Sequence, residues 1–583
     1  MADIFKVPED GNLRKATLDV TLSYGDINCI FTPAIFMPSV VLRDDKELFI
    51  IIFGDYRSKR DINSLFYATN DANEIVNNTI KSVWGPYVCF IADKSRGDTY
   101  VIPDPTGVLN IYYIAIGACI FLSQRIEHII ERTNLRPTIN VKHFVQFTAF
   151  HTTTQSETAF EKIMSVPRGH MLFISREGDI TTRRIWPLPY ATSVRNENER
   201  IEELCSVLEM ATQASIERVH RDIPVVSISG GVDSSSISSI VRRLVGHDRQ
   251  ISGYNFFYSD SAESDEREYA ISIARELNID LLCIDVSDKL PFSEIVLPGY
   301  PSSISHNFSL LKLNMYLDEI YGWSKNNSNG IFEGQGGDCL FWQTPSVACV
   351  RDAIATGGIS LGVKALATQA SLMRSSRTYI ALKVIREMFS GTSTRYKLMR
   401  GWKHASITDM YCDINYVIEN NPFDDDIYSS VHHEQFGRSE MIAMLLAQLD
   451  LNGDYVDGNC PMSINPFLSQ PVIDYLLDVP GYECYDSTYD RILLRKAASR
   501  YTRSDVIWRK GKGTLDPQFI HGIKENGAIL KDLVYSGIMI RNHIIKIGEA
   551  EMLFRRVDAG LTDASATLVS LLCAEMFAHR WGL

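Results

Sequence analysis

The sequence lacks the features that would place it in an oxidising compartment or a membrane. Its eleven cysteines are odd in number, and no two of them form a C-x-x-C pair. Without metal-ligand spacing such thiols read as reduced and mostly buried in a cytoplasm, and no structural zinc is expected. No apolar run is long enough to span a bilayer. The most apolar one, Val108–Leu122, is interrupted by Asn110 and Gly117 and reads as two buried strands turning near Gly117. The opening MADIFKVPED has no apolar core segment, so no signal peptide is expected. Positive charge is short too. Fifty-eight Lys and Arg against 71 Asp and Glu leave a net charge of −13, which argues against general nucleic-acid or anionic-membrane binding. Repeats and low-complexity tracts are absent. What remains is an ordinary globular composition, 45% hydrophobic and 22% charged, over 583 residues, enough for two or more domains.

The texture changes once along the chain. Up to about residue 187 it carries short β-type runs at Leu48–Phe53, Tyr87–Ala92, Thr99–Ile102, Ile111–Ile116 and His170–Ile174. Turn signals such as Asp104-Pro105-Thr106-Gly107 and Pro167-Arg168-Gly169 separate them, predicting packed sheets. Trp186-Pro187-Leu188-Pro189 and the polar Ser193–Arg200 read as a linker. From about residue 200, strand-like Ile223–Ile228, Tyr254–Tyr258 and Leu281–Val286 alternate with helical Ile201–Val219, Asp265–Leu277 and the 237–244 stretch. This alternation predicts a parallel, doubly wound α/β sheet. Beyond residue 345 the chain reads largely helical.

Two loops carry the chemistry. The first, Ser227-Ile228-Ser229-Gly230-Gly231-Val232-Asp233-Ser234-Ser235-Ser236, lies between a strand and a helix. Glycines there let backbone N–H groups approach an anion, and the helix start adds its dipole and unpaired N–H groups. Ser229, Ser234 and Ser235 add hydroxyls, so the loop reads as a phosphate cradle. Asp233 would repel phosphate directly but suits a magnesium ion that touches phosphate. The plain alternative is a capped helix with a tight turn. The second loop, Glu333-Gly334-Gln335-Gly336-Gly337-Asp338-Cys339, follows apolar Ile331 and Phe332 and offers Asp338 as a second carboxylate for the same magnesium.

The first loop resembles the pyrophosphate loop of the ATP pyrophosphatases, and the second resembles that of the asparagine synthetase branch. The resemblance extends over nearly the whole chain. Trp84-Gly85-Pro86-Tyr87, Asp104-Pro105-Thr106-Gly107, Phe121-Leu122-Ser123 and Val166-Pro167-Arg168-Gly169-His170 are similar to landmarks of the family's class II glutamine amidotransferase domain. Asp265-Glu266, Asn465-Pro466-Phe467-Leu468 and Leu493-Leu494-Arg495 are similar to landmarks of its synthetase domain. It implies a degenerate amidotransferase-like β-sandwich (α+β) over 1–190 and an asparagine synthetase-like cyclase domain over 200–583. ATP is then a substrate and Mg2+ a cofactor held by Asp233 and Asp338. ATP would lie on Ser227, Ser229, Gly230, Gly231, Asp233, Ser234, Ser235, Phe257, Tyr258, Gly334, Gln335 and Gly336, with Lys512 catalytic beside the two aspartates. Lys510 is the weaker alternative to Lys512.

Two positions depart from glutamine-using relatives. Those expose a cysteine directly after the initiator methionine, where this chain has Ala2 and a first cysteine at Cys29; the N-terminal domain is expected to be a silent scaffold. Asparagine synthetases carry glutamate, and β-lactam synthetases tyrosine, where this chain has Gln335, whose amide cannot take a proton. The amine is therefore expected to belong to a larger substrate. Phe256–Asp260 with Glu263–Glu266, Gly336–Ser346, Tyr489-Asp490-Arg491 and Trp508–Lys512 resemble the microcin-type lasso peptide cyclases. That likeness implies a macrolactam closed between the N-terminal amine of a leader-cleaved precursor (core) peptide and an Asp or Glu side chain, with AMP and pyrophosphate released. A leader peptidase and a leader-binding protein are the implied partners. A β-lactam synthetase-like or other small-molecule amide synthetase, and an interaction protein that keeps the fold, are the alternatives. Nine Lys or Arg against Glu387 alone over 361–404 read as a solvated helical face or a docking surface. His306 reads as a structural histidine.

Overall fold

The computed structural model describes residues 20–583 except 25–26, 34–38, 151, 187–194, 220–222, 260–264, 296–299, 306–329, 390–435, 451–461, 512 and 514–515. Thus Ala2, His306 and Lys512, three residues singled out in the sequence, lie outside the described residues, as does most of the proposed linker.

The N-terminal half is two packed sheets, as the short runs predict. Strand Leu48–Gly54 reads LFIIIFG and is buried along almost its whole length. With a side-chain period of two, such a run needs cover on both faces. Phe49, Ile51 and Phe53 meet Phe31, Phe90 and Leu172 between the sheets. Leu48, Ile50 and Ile52 meet Leu65, Phe66, Ile75 and Ile80, which come from helices Ile62–Tyr67 and Ala72–Ser82. The six-stranded layer is antiparallel, with Leu48–Gly54 beside Tyr87–Asp93 and that strand beside Asp98–Pro103. In the five-stranded layer, Tyr112–Ile116 and Cys119–Ser123 form the hairpin expected around Gly117, whose φ is +58°.

The sheet that follows the N-terminal half is parallel throughout. Its spatial order is Asp280–Asp285, Ser252–Phe257, Val225–Ser227, Gly330–Phe332, Met462–Ile464. The first three strands wind one way from Val225–Ser227 and the last two wind the other. The reversal lies between Val225–Ser227 and Gly330–Phe332, so a crevice opens beyond the carboxyl ends of those two strands. Both glycine-rich loops leave from there. The edge strand Met462–Ile464 has three residues and sits inside a region that reads as helical; that is too short for alternation to reveal.

Trp186 is not a linker residue. It is 3% exposed, packs with Leu204 and Leu208 of helix Glu197–Arg218, and donates from Nε1 to Asp474 Oδ1 at 2.6 Å. That helix begins with a capping box at Asn196 and Glu199, four residues before the expected start. The two halves also meet through Arg168, whose Nη1 lies 3.1 Å from Asp450 Oδ1 while Nη2 donates to the carbonyl of Leu449 at 2.9 Å. Both side chains of this pair are about nine-tenths buried. Beyond the parallel sheet, helices Val347–Leu372 and Arg377–Phe389 carry the described part of the basic stretch, and Lys364, Arg374, Arg377, Lys383 and Arg386 are all exposed. The last helices, including Thr562–Trp581, pack on the N-terminal half: Phe577 meets Phe144 and Phe160.

Removing one partner of a buried ion pair leaves the other charge uncompensated. Arg168→Ala is expected to destabilise the protein by about 3–5 kcal/mol, read as a lower midpoint in denaturant. A second prediction concerns pH. Burial raises the Glu575 carboxyl from 4.5 to about 7, against the N–H groups of Ile538 and Met539 that donate to it. A carboxyl raised in the folded state binds more protons there, so its contribution to stability is complete below pH 4.5 and is lost as pH rises through about 7. Glu575→Gln is expected to flatten the fall in melting temperature across that window.

Candidate functional site

The two glycine-rich loops touch. A Cβ on Gly337 would lie 2.4 Å from Asp233 Oδ1, and one on Gly334 would lie 2.5 Å from the backbone nitrogen of Ser234. Only glycine permits that approach. The second loop turns at Gly336, whose φ is +91°, and helix Gly337–Leu340 follows with Asp338 in its first turn.

In the first loop, Gly230 has φ +79° and Gly231 caps helix Val232–Val245. Ser229 and Ser234 are joined: the Ser229 N–H donates to Ser234 Oγ at 3.1 Å, and the hydroxyls lie 3.0 Å apart. Gly231 N–H reaches Ser229 Oγ at 3.4 Å. These groups, with the half-buried Ser227 at the strand end, form a small cup of hydroxyl and N–H groups at a helix N-terminus, a suitable seat for an anion. Ser235 differs. It is fully buried, and its N–H donates to the carbonyl of Gly231 at 3.1 Å.

Asp233 and Asp338 converge on one cation. Arg491 Nη1 lies 2.7 Å from Asp233 Oδ2 and 2.8 Å from Asp338 Oδ1. Arg491 is 5% exposed and holds a left-handed φ of +49° immediately before helix Ile492–Ala498. Its neighbour Asp490 accepts from Arg495 Nη2 at 2.6 Å, and Arg495 Nη1 reaches the carbonyl of Arg509 at 3.0 Å. This residue was missed as a functional one. It stands in the quoted Tyr489-Asp490-Arg491 stretch, but nothing local marks it as reaching two loops far away in the chain. The carboxylate pair fits a hard cation as well as it fits the guanidinium. Among the described residues no cluster of three His, Cys, Asp or Glu occurs, so phosphate oxygens and water would have to complete a magnesium shell, as is usual for that ion.

Arg509 ties the following turn to the same place. Its Nη1 donates to the carbonyl of Gly230 at 3.2 Å, its Nη2 pairs with Glu266, and its guanidinium stacks 3.8 Å from the Tyr269 ring centroid. The N–H of Gly513 also donates to Glu266, at 2.7 Å. Lys510 lies 4.9 Å from the Tyr489 ring centroid. The neighbouring strand contributes Asn255, whose Nδ2 donates to the carbonyl of Ile228 at 2.7 Å. Phe257 is buried beneath the Arg267 guanidinium, 3.7 Å from its ring centroid, and Tyr258 packs on Val286. Hydroxyls of Ser287 and Ser259 push the Asp285 carboxyl down to about 2.

Gln335 is exposed and engaged sideways. Its Nε2 donates to Glu333 Oε2 at 3.1 Å, and Gln448 donates to its Oε1 at 3.4 Å. Burial, then the nearby Asp338 charge, pushes the Cys339 thiol up to about 12. Cys29, the first cysteine, is likewise pushed up to about 12 by burial.

The asparagine synthase family model matches residues 207–535, and the glutamine amidotransferase domain model matches 54–186. No curated protein matches the sequence. Among solved structures, NMN synthetase from Francisella tularensis is 13% identical with a TM-score of 0.18, covering 26% of this chain and 58% of its own. The NH3-dependent NAD synthetase from Campylobacter jejuni is 12% identical with a TM-score of 0.20, over 44% of this chain and 94% of its own. The glutamine-dependent NAD+ synthetase from Acinetobacter baumannii, solved with ADP, is 15% identical with a TM-score of 0.17, over 38% of this chain and 49% of its own. Scores this low carry no weight. The first family model, however, spans more than half of the 583 residues and contains both glycine-rich loops: the chain belongs to the asparagine synthase family.

Proposed function

We propose that this protein is a lasso peptide cyclase, which adenylates an Asp or Glu side chain of a leader-cleaved peptide and joins it to the peptide's N-terminal amine. The observation that carries the ATP chemistry is the convergence of Asp233 and Asp338 on one cationic position, beside the hydroxyl and N–H cup of Ser229, Gly231 and Ser234. The lasso assignment is supported by the quoted resemblances and by the amide at Gln335. On this reading a precursor peptide is the substrate, and a leader peptidase and a leader-binding protein act before it in the cytoplasm. No described helix is long and apolar enough to cross a membrane.

A carboxylate is a poor electrophile until it carries a good leaving group. The substrate carboxylate attacks the α-phosphorus of ATP, the bond to the β-phosphate oxygen breaks, and an acyl-adenylate and pyrophosphate result. Bound magnesium would neutralise charge on the phosphates, with Asp233 and Asp338 holding it. The serine hydroxyls and loop N–H groups orient the pyrophosphate, and Lys512, assigned from the family resemblance, adds a cation near the α-phosphate. The amine nitrogen then attacks the acyl carbon, AMP leaves and the amide forms. Holding a prefolded peptide with amine and adenylate adjacent supplies the remainder.

Five substitutions test the reading. Asp233→Asn and Asp338→Asn are expected to abolish AMP formation without unfolding the protein, and Gly337→Ala to lower it sharply by pushing Asp233 aside. AMP release at the parent rate from either asparagine variant removes the carboxylate pair from the mechanism. Lys512→Ala is expected to slow ring closure by about 10²–10³ while melting near the parent temperature, with Lys510→Ala much milder. The assay is mass spectrometry of synthetic peptides bearing a free α-amine and one internal Asp or Glu, incubated with ATP and magnesium. Loss of one water with AMP formed supports the reading; ADP in place of AMP, or no product from any peptide, refutes it.

A further inference from the structure

Gln335 cannot accept a proton, yet amide formation releases one. The side chain bonded directly to Gln335 can accept it. Glu333 directly follows the strand Gly330–Phe332, at the topological reversal, and is half-buried. Its backbone N–H donates to the carbonyl of Ile464 at 2.9 Å, and its Oε2 accepts from Gln335 Nε2 at 3.1 Å and from the Ser463 hydroxyl. Asn465 Nδ2 in turn donates to Ser463 Oγ at 2.9 Å. Glu333 thus has its carboxylate braced from two elements, the strand edge at Ser463 and the loop at Gln335. The next residue, Gly334, lies against the backbone of Asp233 and Ser234, so the backbone that carries Glu333 adjoins the first glycine-rich loop. Ser463 and Asn465 also line a cavity of about 90 Å³ between the two halves of the chain, walled on the other side by Trp84, Asp104 and Thr106.

We infer that Glu333 is the catalytic residue that receives the proton of the attacking amine, with Gln335 and Ser463 as the positioning residues that aim it; this rests on the amide-forming reading above. An ionised carboxylate draws an ammonium group toward the adenylate. A free α-amine has a pKa of about 7.7–8.0, so roughly a tenth is neutral near pH 7 and able to attack. As the nitrogen lone pair bonds to the acyl carbon and the carbon–oxygen bond to AMP breaks, the nitrogen gains positive charge. Its surplus proton passes to Glu333 and from there to water. The products are the amide, AMP and one proton, with nothing oxidised or reduced.

The test separates adenylation from amine attack. Hydroxylamine is a weaker base than an α-amine, is mostly unprotonated at neutral pH and attacks acyl-adenylates with little help. With a free-amine peptide, Glu333→Gln is expected to lose about 10²–10⁴ in ring closure, the usual range for a lost general base. ATP–pyrophosphate exchange and hydroxamate formation, measured with the N-acetylated peptide plus hydroxylamine, are expected to stay close to the parent. Glu333→Asp, which keeps the charge, is expected to fall between the two in ring closure. Ring closure by Glu333→Gln at the parent rate overturns the inference alone. So does an equal loss with hydroxylamine in both variants, because that is what a structural brace would give. A parent protein that exchanges no pyrophosphate and cyclises no peptide overturns the proposed function, and this inference with it.

Discussion

The site depends on two carboxylates held close together from loops distant in sequence. Like charges at such separation repel strongly in a partly buried setting, so the arrangement needs a cation. Arg491 supplies it from 258 residues beyond Asp233 and 153 beyond Asp338. Much of the local structure serves that contact. Gly334 and Gly337 clear the space between the loops, and Gly336 turns the second loop back. The left-handed backbone of Arg491 aims its guanidinium inward, and Arg495 fixes the residue before it through Asp490. Arg495 also reaches the carbonyl of Arg509, and Arg509 reaches Gly230. The first glycine-rich loop, the carboxylate pair and Arg509 are therefore one hydrogen-bonded assembly.

Arg491 is not held by this pair alone. Its Nη2 also lies 3.4 Å from Asp490 Oδ2, so one guanidinium is shared among three carboxylates, two of them on the glycine-rich loops.

The loops were legible because each pairs glycines with a single aspartate directly after an apolar strand, and because strands alternating with helices fix where strand ends lie. Buried strands such as Leu48–Gly54 were legible as continuous apolar runs. Arg491 was not, since one arginine before a helix looks like any other and its partners are set by tertiary structure. Trp186 was misread because its prolines and polar successors speak for a linker, while its indole answers to Asp474 on a helix almost 300 residues away. The edge strand Met462–Ile464 is too short to show a period. Glu333 was quoted in its motif but given no part, because its meaning lies in a contact with Ser463 on that same unrecognised strand.

One core crosses the boundary between the two matched family segments. Tyr112, Ile114, Phe144 and Phe160 from the first segment share a single apolar cluster with Phe519, Leu530 and Val534 of the second and with Phe554 and Phe577 beyond it. Cutting the gene between the segments would leave two raw apolar faces, each needing its former partner to stay out of water. The N-terminal half is therefore a foundation for the last helices, whatever chemistry it carries.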